Sequence, residues 1–302
     1  VSERDPARLG VMLGAGAYLI WGLLPLFLRL LEGVPPIQIV AHRVLWSLAL
    51  LALLALVLGK SGEVVAALRR RGVLPVLLAS AALIAANWTI YAWAVLNHHV
   101  IETSLGYFIN PLLNVVLGVV VLKERLRPAQ LAAVGVAALG VAIMAVAQGA
   151  ALWIPLGLAF SFGTYGLLRK MAPVDAFAGL TIESLLLAPI ALGVLLWAGQ
   201  AGQGAWGEST HRDLLLIASG PLTAAPLLLF AAAAKRLRYA TLGLLQYIAP
   251  TLQFLQGWLL FGERLTSIHL VTFACIWIGL LIYAVDGIRS ARAAPAPASP
   301  PE

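Results

Sequence analysis

Two charged residues stand alone in long apolar runs: Arg43 in IVAHRVLWSL and Glu183 in LTIESLLLAP. An ion so placed needs a partner or a polar cavity, because a bare buried charge is strongly unfavourable. The stretch NWTIYAWAVLNHHVIETSLGYFINPLLN, Asn87 to Asn114, gathers polar and aromatic groups that its Leu-, Ala- and Val-rich surroundings lack. Asn87, Trp88 and Tyr91 fall at i, i+1 and i+4, on one helix face. Ring faces with a few hydrogen-bonding tips suit the stacking of aromatic or amphipathic solutes, though the same residues could serve ordinary packing between helices. His98, His99 and Glu102 form a titratable group that could sense protons near neutrality or simply end a hairpin in polar residues.

Enzyme chemistry is not indicated. The chain holds no GxSxG, HExxH or paired-aspartate motif, and Asp5, Asp175, Asp213 and Asp286 all fall outside the middle of apolar runs. The single cysteine, Cys275, excludes a disulfide or Cys-based zinc framework, so no metal is expected. No nucleotide-binding loop is present, so neither a nucleotide partner nor another cofactor is expected.

The elements that carry these groups follow from composition. Of 302 residues, 61% are hydrophobic and 11% charged, against about half and about a quarter in a soluble domain. So much apolar side chain requires lipid as the solvent and the bilayer as a partner. A spanning helix needs about 20 mostly apolar residues. Ten such spans can be read, at roughly 9–28, 37–58, 73–96, 103–122, 129–147, 152–168, 179–198, 213–234, 241–261 and 269–287. The first is expected to be a true span rather than a cleaved signal peptide, since it is long and lacks a small-residue cleavage site. The Ala/Pro-rich end, residues 289–302, is expected to be a disordered cytoplasmic tail.

Sixteen of the 20 Lys and Arg residues fall on one side of these spans. Arg29, Arg212 and Arg264 fall on the other, and Arg43 lies inside. The positive-inside rule then puts both termini in the cytoplasm. The +7 charge reflects topology, and no nucleic-acid partner is needed to explain it.

SLGYFINPLLNVVLGVVVLKERL, from Ser104, resembles TLGLLQYIAPTLQFLQGWLLFGERL, from Thr241. At one constant offset Pro111 meets Pro250, Gly118 meets Gly257, and Glu124 meets Glu263; Gly140 meets Gly279 in the next span. Trp21-Gly22-Leu23-Leu24 also echoes Tyr165-Gly166-Leu167-Leu168. The chain is expected to be an all-α membrane protein built as two five-helix units, 1–149 and 150–288. Five is odd, so the second unit crosses upside down, an arrangement common in secondary transporters with a central cavity.

Pro111 and Pro250 are either static kinks or hinges, with Asn110, Asn114, Gln246 and Gln253 near enough to satisfy freed backbone groups. Arg43 and Glu183 sit about 9 Å and about 6 Å from opposite span ends at 1.5 Å per residue, too far apart in depth to pair. Arg43 is expected to pair with Glu102, His98 or His99, and Glu183 with Lys235, Arg236 or Arg169. The deep polar and aromatic residues Tyr18, Trp21, Asn87, Trp88, Tyr91, Tyr107, Asn110, Asn114, Tyr165, Gln246, Tyr247 and Gln253 are the expected cavity lining.

NWTIYAWAVLNHHVIETSLGYFINPLLN, with AHRVLWS, AFSFGTYGLLRK, TLGLLQYIAPTLQF and VTFACIWIGL, closely resembles the RarD-type branch of the EamA family, in the drug/metabolite transporter superfamily. The match covers essentially all ten spans. The HH…E…P stretch is also similar to that of the YddG branch, implicated in exporting aromatic amino acids, although other YddG motifs match poorly. The resemblance implies a ten-helix transporter of the bacterial inner membrane with two inverted EamA repeats around a substrate cavity. It implies transport of a small organic solute, aromatic or apolar amino acids foremost, related metabolites and drugs next, by alternating access. A passive channel or uniporter and a proton-coupled drug exporter remain open alternatives. The hairpin's outer end, with His98, His99 and Glu102, would form part of a gate.

Overall fold

The computed structural model describes residues 6–123, 127–148, 152–234, 236–237 and 245–293. These form α1 (Pro6–Arg29), α2 (Pro36–Val57), α3 (Ser61–Arg69), α4 (Val73–Leu96), α5 (Val100–Leu122), α6 (Pro128–Gln148), α7 (Trp153–Met171), α8 (Ala176–Gln200), α9 (Thr210–Ala234), α10 (Ile248–Leu255) and α11 (Ser267–Ala293), and among the described residues there is no strand. A π turn, Gln256–Leu260, continues α10. Eight helices are long and apolar enough to cross a membrane. The two other expected spans are α7, which ends in Arg169-Lys170, and 241–261, whose first residues lie outside the described ones. Helix α3 was not foreseen; it turns Val64 and Ala67 inward beneath a charged connection. Helix α11 runs to Ala293, beyond the expected start of the tail at 289, and residues 294–302 lie outside the described residues.

Local chemistry sets the helix starts. Pro36 opens α2 at a position where no backbone N–H is needed. The Asp175 carboxylate caps α8 by accepting the Phe177 N–H at 3.1 Å. Gly72, at φ +81°, takes the left-handed turn into α4 that a Cβ would resist. The outer faces are apolar, with Leu56 and Val57 72% exposed and Val146 91% exposed. Water would not tolerate that surface, and lipid does.

The first repeat comprises α1, α2, α4, α5 and α6, and the second α7 to α11. Their contacts obey a two-fold rule. Helix α1 packs on α9 and α10, and its counterpart α7 packs on α4 and α5. Helix α2 packs on α8, and α6 on α11, each a repeat-matched pair. Small residues make these seams tight, since lipid supplies no hydrophobic drive between helices and close backbone approach must do the work. A Cβ at Gly140 would lie 2.7 Å from the Cys275 Cβ, and one at Gly279 would lie 2.7 Å from the Ala133 carbonyl oxygen. Gly22 is pressed against Leu252 and Gly163 against Leu113. Packing therefore matches Gly22 to Gly163, about one helical turn before the Gly166 suggested by the Trp-Gly-Leu-Leu echo.

Candidate functional site

A cavity of about 530 Å³ runs between the repeats. Helix α4 gives it Ile84, Asn87, Trp88 and Tyr91; α5 gives Tyr107, Asn110 and Asn114; α1 gives Tyr18 and Trp21. From the second repeat come Phe162, Tyr165 and Arg169 of α7, Thr223 and Phe230 of α9, Gln246, and Pro250 and Gln253 of α10. The lining continues to Lys170 in the last turn of α7, Val174 in the connection and Ala176 at the start of α8, so the cavity reaches that end of the bundle.

Its rings form two walls. Tyr18, Trp21 and Phe230 meet with centroids 5.4–6.1 Å apart. Tyr91, Tyr107, Phe162 and Tyr165 form a chain with successive centroids 5.7–6.0 Å apart. These edge and tilted contacts leave ring faces available for an apolar guest. Asn87 fixes the second wall: its Nδ2 donates to Leu158 O at 3.1 Å and Ser161 Oγ at 3.0 Å, while its Oδ1 accepts the Tyr107 hydroxyl at 3.2 Å. Buried to 1% exposure, it clamps α4, α5 and α7 together.

Arg43 also lines the cavity, at 3% exposure. Its position follows from the α2–α9 contact, where a Cβ at Gly220 would lie 2.5 Å from the Trp46 backbone and Ser47 Oγ donates to Gly220 O at 3.2 Å. One turn away on each helix, Arg43 Nε donates to Thr223 Oγ1 at 3.0 Å, and the guanidinium lies over Trp88, 4.9 Å from the ring centroid. The expected pairing with Glu102, His98 or His99 is not formed. Depth alone suggested it, but His98 turns to Arg29 of α1, His99 to Glu102 and to the Trp93 ring, and Glu102 to His99 and to His269 of α11.

Glu183, 1% exposed, has three partners. Arg169 Nε lies 3.7 Å from Oε1, Ser80 Oγ donates to Oε1 at 2.5 Å, and the Tyr165 hydroxyl donates to Oε2 at 3.4 Å. Gly179 makes the ion pair possible, since any side chain there would collide with the Arg169 guanidinium. Of the other expected partners, Arg236 donates to Ala232 O at 2.8 Å and Lys235 lies outside the described residues.

At the opposite end polar groups of both repeats meet, around a second space of about 290 Å³. Glu263 accepts the backbone N–H groups of Val100 and Ile101, both at 2.8 Å, so one repeat caps the first turn of a helix from the other. Its repeat match, Glu124, lies outside the described residues. Burial pushes the Glu263 carboxyl above its ordinary range, and those two backbone donors pull it partly back. His98 Nδ1 is 2.7 Å from Arg29 Nη2, and Arg29 lies over Phe261. Glu102 Oε1 stands 3.5 Å from His99 Nδ1 and 3.9 Å from His269 Nε2.

Eleven of the twelve expected lining residues are in the cavity wall. Tyr247 is not; its ring stacks on Phe108 at 6.2 Å. Gln253 and Gln246 were expected to relieve Pro250, but Gln253 Nε2 donates instead to Trp21 O at 3.2 Å, the carbonyl that Pro25 leaves without its helical donor. The matched prolines also differ in setting: Pro111 is inside α5, whereas Pro250 occupies the first turn of α10, where its missing N–H costs nothing. Sequence reasoning missed Phe162, Phe230, Arg169, Lys170 and Thr223 as lining. Phe230 was within reach, as it follows Tyr91 at the same offset that relates the two prolines.

The EamA-like transporter family model matches residues 8–146 and 148–285. The uncharacterized transporter PA0485 of Pseudomonas aeruginosa is 49% identical over 292 residues, covering 96% of this chain and 98% of its own. Protein RarD of Streptomyces exfoliatus is 43% identical, covering 97% of this chain and 93% of its own; protein RarD of Escherichia coli is 43% identical, with 96% and 98% covered. A solved crystal structure matches at a TM-score of 0.62 and 21% identity, over 91% of this chain and 97% of that one, a likeness of fold. The chain belongs to the EamA-like transporter family, as one of its RarD-type members.

Proposed function

We propose that this multi-pass membrane protein is a secondary transporter of small amphipathic organic solutes, aromatic or apolar amino acids and related metabolites or drugs among them. Its place is the bacterial inner membrane, with both termini in the cytoplasm by the positive-inside rule. The observation that carries this reading is the 530 Å³ cavity, walled by rings from both repeats inside a lipid-facing bundle. The lining reaches the Lys170 end, and the Glu263, Arg29 and His98 contacts stand at the other, the shape of one access state facing the cytoplasm. The inverted repeat supplies the second state by exchanging the roles of the halves. The turn at Gln246–Tyr247, ahead of Pro250, is the proposed hinge in the second repeat, with Pro111 its counterpart in the first.

Uptake of labelled L-amino acids and amphipathic drugs into proteoliposomes tests the reading, with Trp88→Ala and Tyr91→Ala beside wild type. Flux of an aromatic or apolar solute that both variants lose while remaining folded supports it. Flux that survives both changes overturns the aromatic-wall reading.

Glu183 favours a second reading, coupling to protons, because this buried carboxylate touches the cavity through Arg169 and Tyr165. Flux that depends on a pH gradient in wild type but not in Glu183→Gln would select it over facilitated movement.

A further inference from the structure

We infer that Arg43 is the anchor for a carboxylate head group, so that the cavity takes amphipathic carboxylates, those of amino acids included, in preference to the matching amides and amines. The inference rests on the transporter reading and deepens it by naming the head group of the solute.

Arg43 is a guanidinium at 3% exposure, and among the described residues no carboxylate pairs with it. Among the described residues its hydrogen-bond partner is the Thr223 hydroxyl, whose own proton goes to Ser219 O at 2.8 Å, leaving a neutral lone pair for Arg43 Nε. The Trp88 face adds a cation–π contact, which orients the guanidinium without neutralising it. Nη1 is buried with no partner. The Tyr91 hydroxyl, on the same cavity wall and within electrostatic reach of the guanidinium, is likewise buried without one. Two buried donors without partners, one end of a planar fork and a phenol O–H, therefore belong to residues of one cavity wall, and both complement a carboxylate.

Location strengthens the match. Arg43 is seven residues into α2 from Pro36, about 10 Å along the helix axis, on the side where Glu263 and His98 lie. A solute entering past Lys170 would bring its head group to Arg43 last, with its apolar body between the ring walls. Among the described residues no Asp or Glu lines the cavity. Glu183, a carboxylate behind the wall, is already held by Arg169, Ser80 and Tyr165. An ammonium group brought into this space would meet neutral acceptors, Asn110 Oδ1 and Gln253 Oε1 among them, but no carboxylate among the described lining residues.

The test is equilibrium binding of labelled indole-3-acetate to the purified full chain in detergent at neutral pH, with competition by indole-3-acetamide, tryptamine and L-tryptophan. These share a ring and differ in head-group charge. Wild type is expected to prefer the acid to the amide by about 10- to 100-fold, the range of a charge-assisted hydrogen bond, with tryptamine weakest. Arg43→Gln is expected to erase the preference of acid over amide, and Arg43→Lys to restore part of it. Equal binding of acid and amide by wild type overturns the anchor and leaves the aromatic cavity standing. A preference retained in Arg43→Gln overturns it equally. If no indole binds, the aromatic-cavity reading falls and the anchor falls with it. Should Arg43→Gln fail to fold, the wild-type ratio of acid to amide decides alone.

Discussion

Arg43 and Glu183 hold roughly matching positions in the two repeats, one on α2 and one on α8, two helices that pack on each other. Glu183 meets a cation and two hydroxyl groups; Arg43 meets a hydroxyl group and a ring. The first charge is neutralised within the protein, and the second is not. A buried ion that has its partner costs the fold less than one that lacks it, and the unpaired one is the stronger candidate to meet a ligand's charge. Two-fold symmetry in the backbone has thus been kept while the chemistry at the symmetric positions has diverged.

The largest effect that would break this comparison is on stability. Glu183→Ala leaves Arg169 facing the cavity without its counter-ion and is expected to cost about 3–5 kcal/mol, the range for breaking a buried pair, read from thermal unfolding in detergent. A loss below about 1 kcal/mol would put the pair in the class of solvent-screened bridges. Next in size is Gly220→Ala, which pushes α9 off the Trp46 backbone. Overpacking there is expected to cost about 1–3 kcal/mol, and flux should fall as well, because Thr223 moves with α9 away from Arg43.

Arg43→Met sharpens the contrast through its sign. Removing an unmatched buried charge should leave stability within about 1 kcal/mol of wild type or raise it, even as flux of an anionic solute collapses. A stability loss as large as that of Glu183→Ala would show that Arg43 has a protein partner after all. The smallest effect concerns Glu263, outside the spans. Its raised carboxyl means that the folded chain holds this proton more tightly than the unfolded chain does. Its contribution to stability is therefore fully present below the ordinary carboxylate value and is lost as pH rises through the raised one. Unfolding followed from pH 4 to pH 7 should show a shallower decline in Glu263→Gln than in wild type.

The helices, the repeat and most of the cavity wall were legible in the sequence because each rests on a local signal: apolar length, a constant offset, or polar and aromatic residues out of place among Leu and Ala. Partners were less legible, since depth along a helix says nothing about which face a side chain takes. Arg43 and Glu102 share a depth, yet Arg43 turns to α9 and Glu102 to His269 of α11. Gln253 serves α1 instead of its own proline for a related reason, as the Trp21 carbonyl freed by Pro25 lies closer in space than in sequence. Arg169 and Lys170 were counted for topology, and that use concealed their place at the cavity mouth.

Helices α6 and α11 contribute no described residue to the cavity wall, and their glycines lock them to each other. Recognition and anchorage are therefore carried by different stretches of the chain. Substitutions along the outer faces of α6 and α11 can follow the thickness and fluidity of a new host's bilayer without altering which solute is taken. Cys275, partly exposed and packed on Gly140, ties the single thiol of the chain to that anchorage and away from the cavity wall.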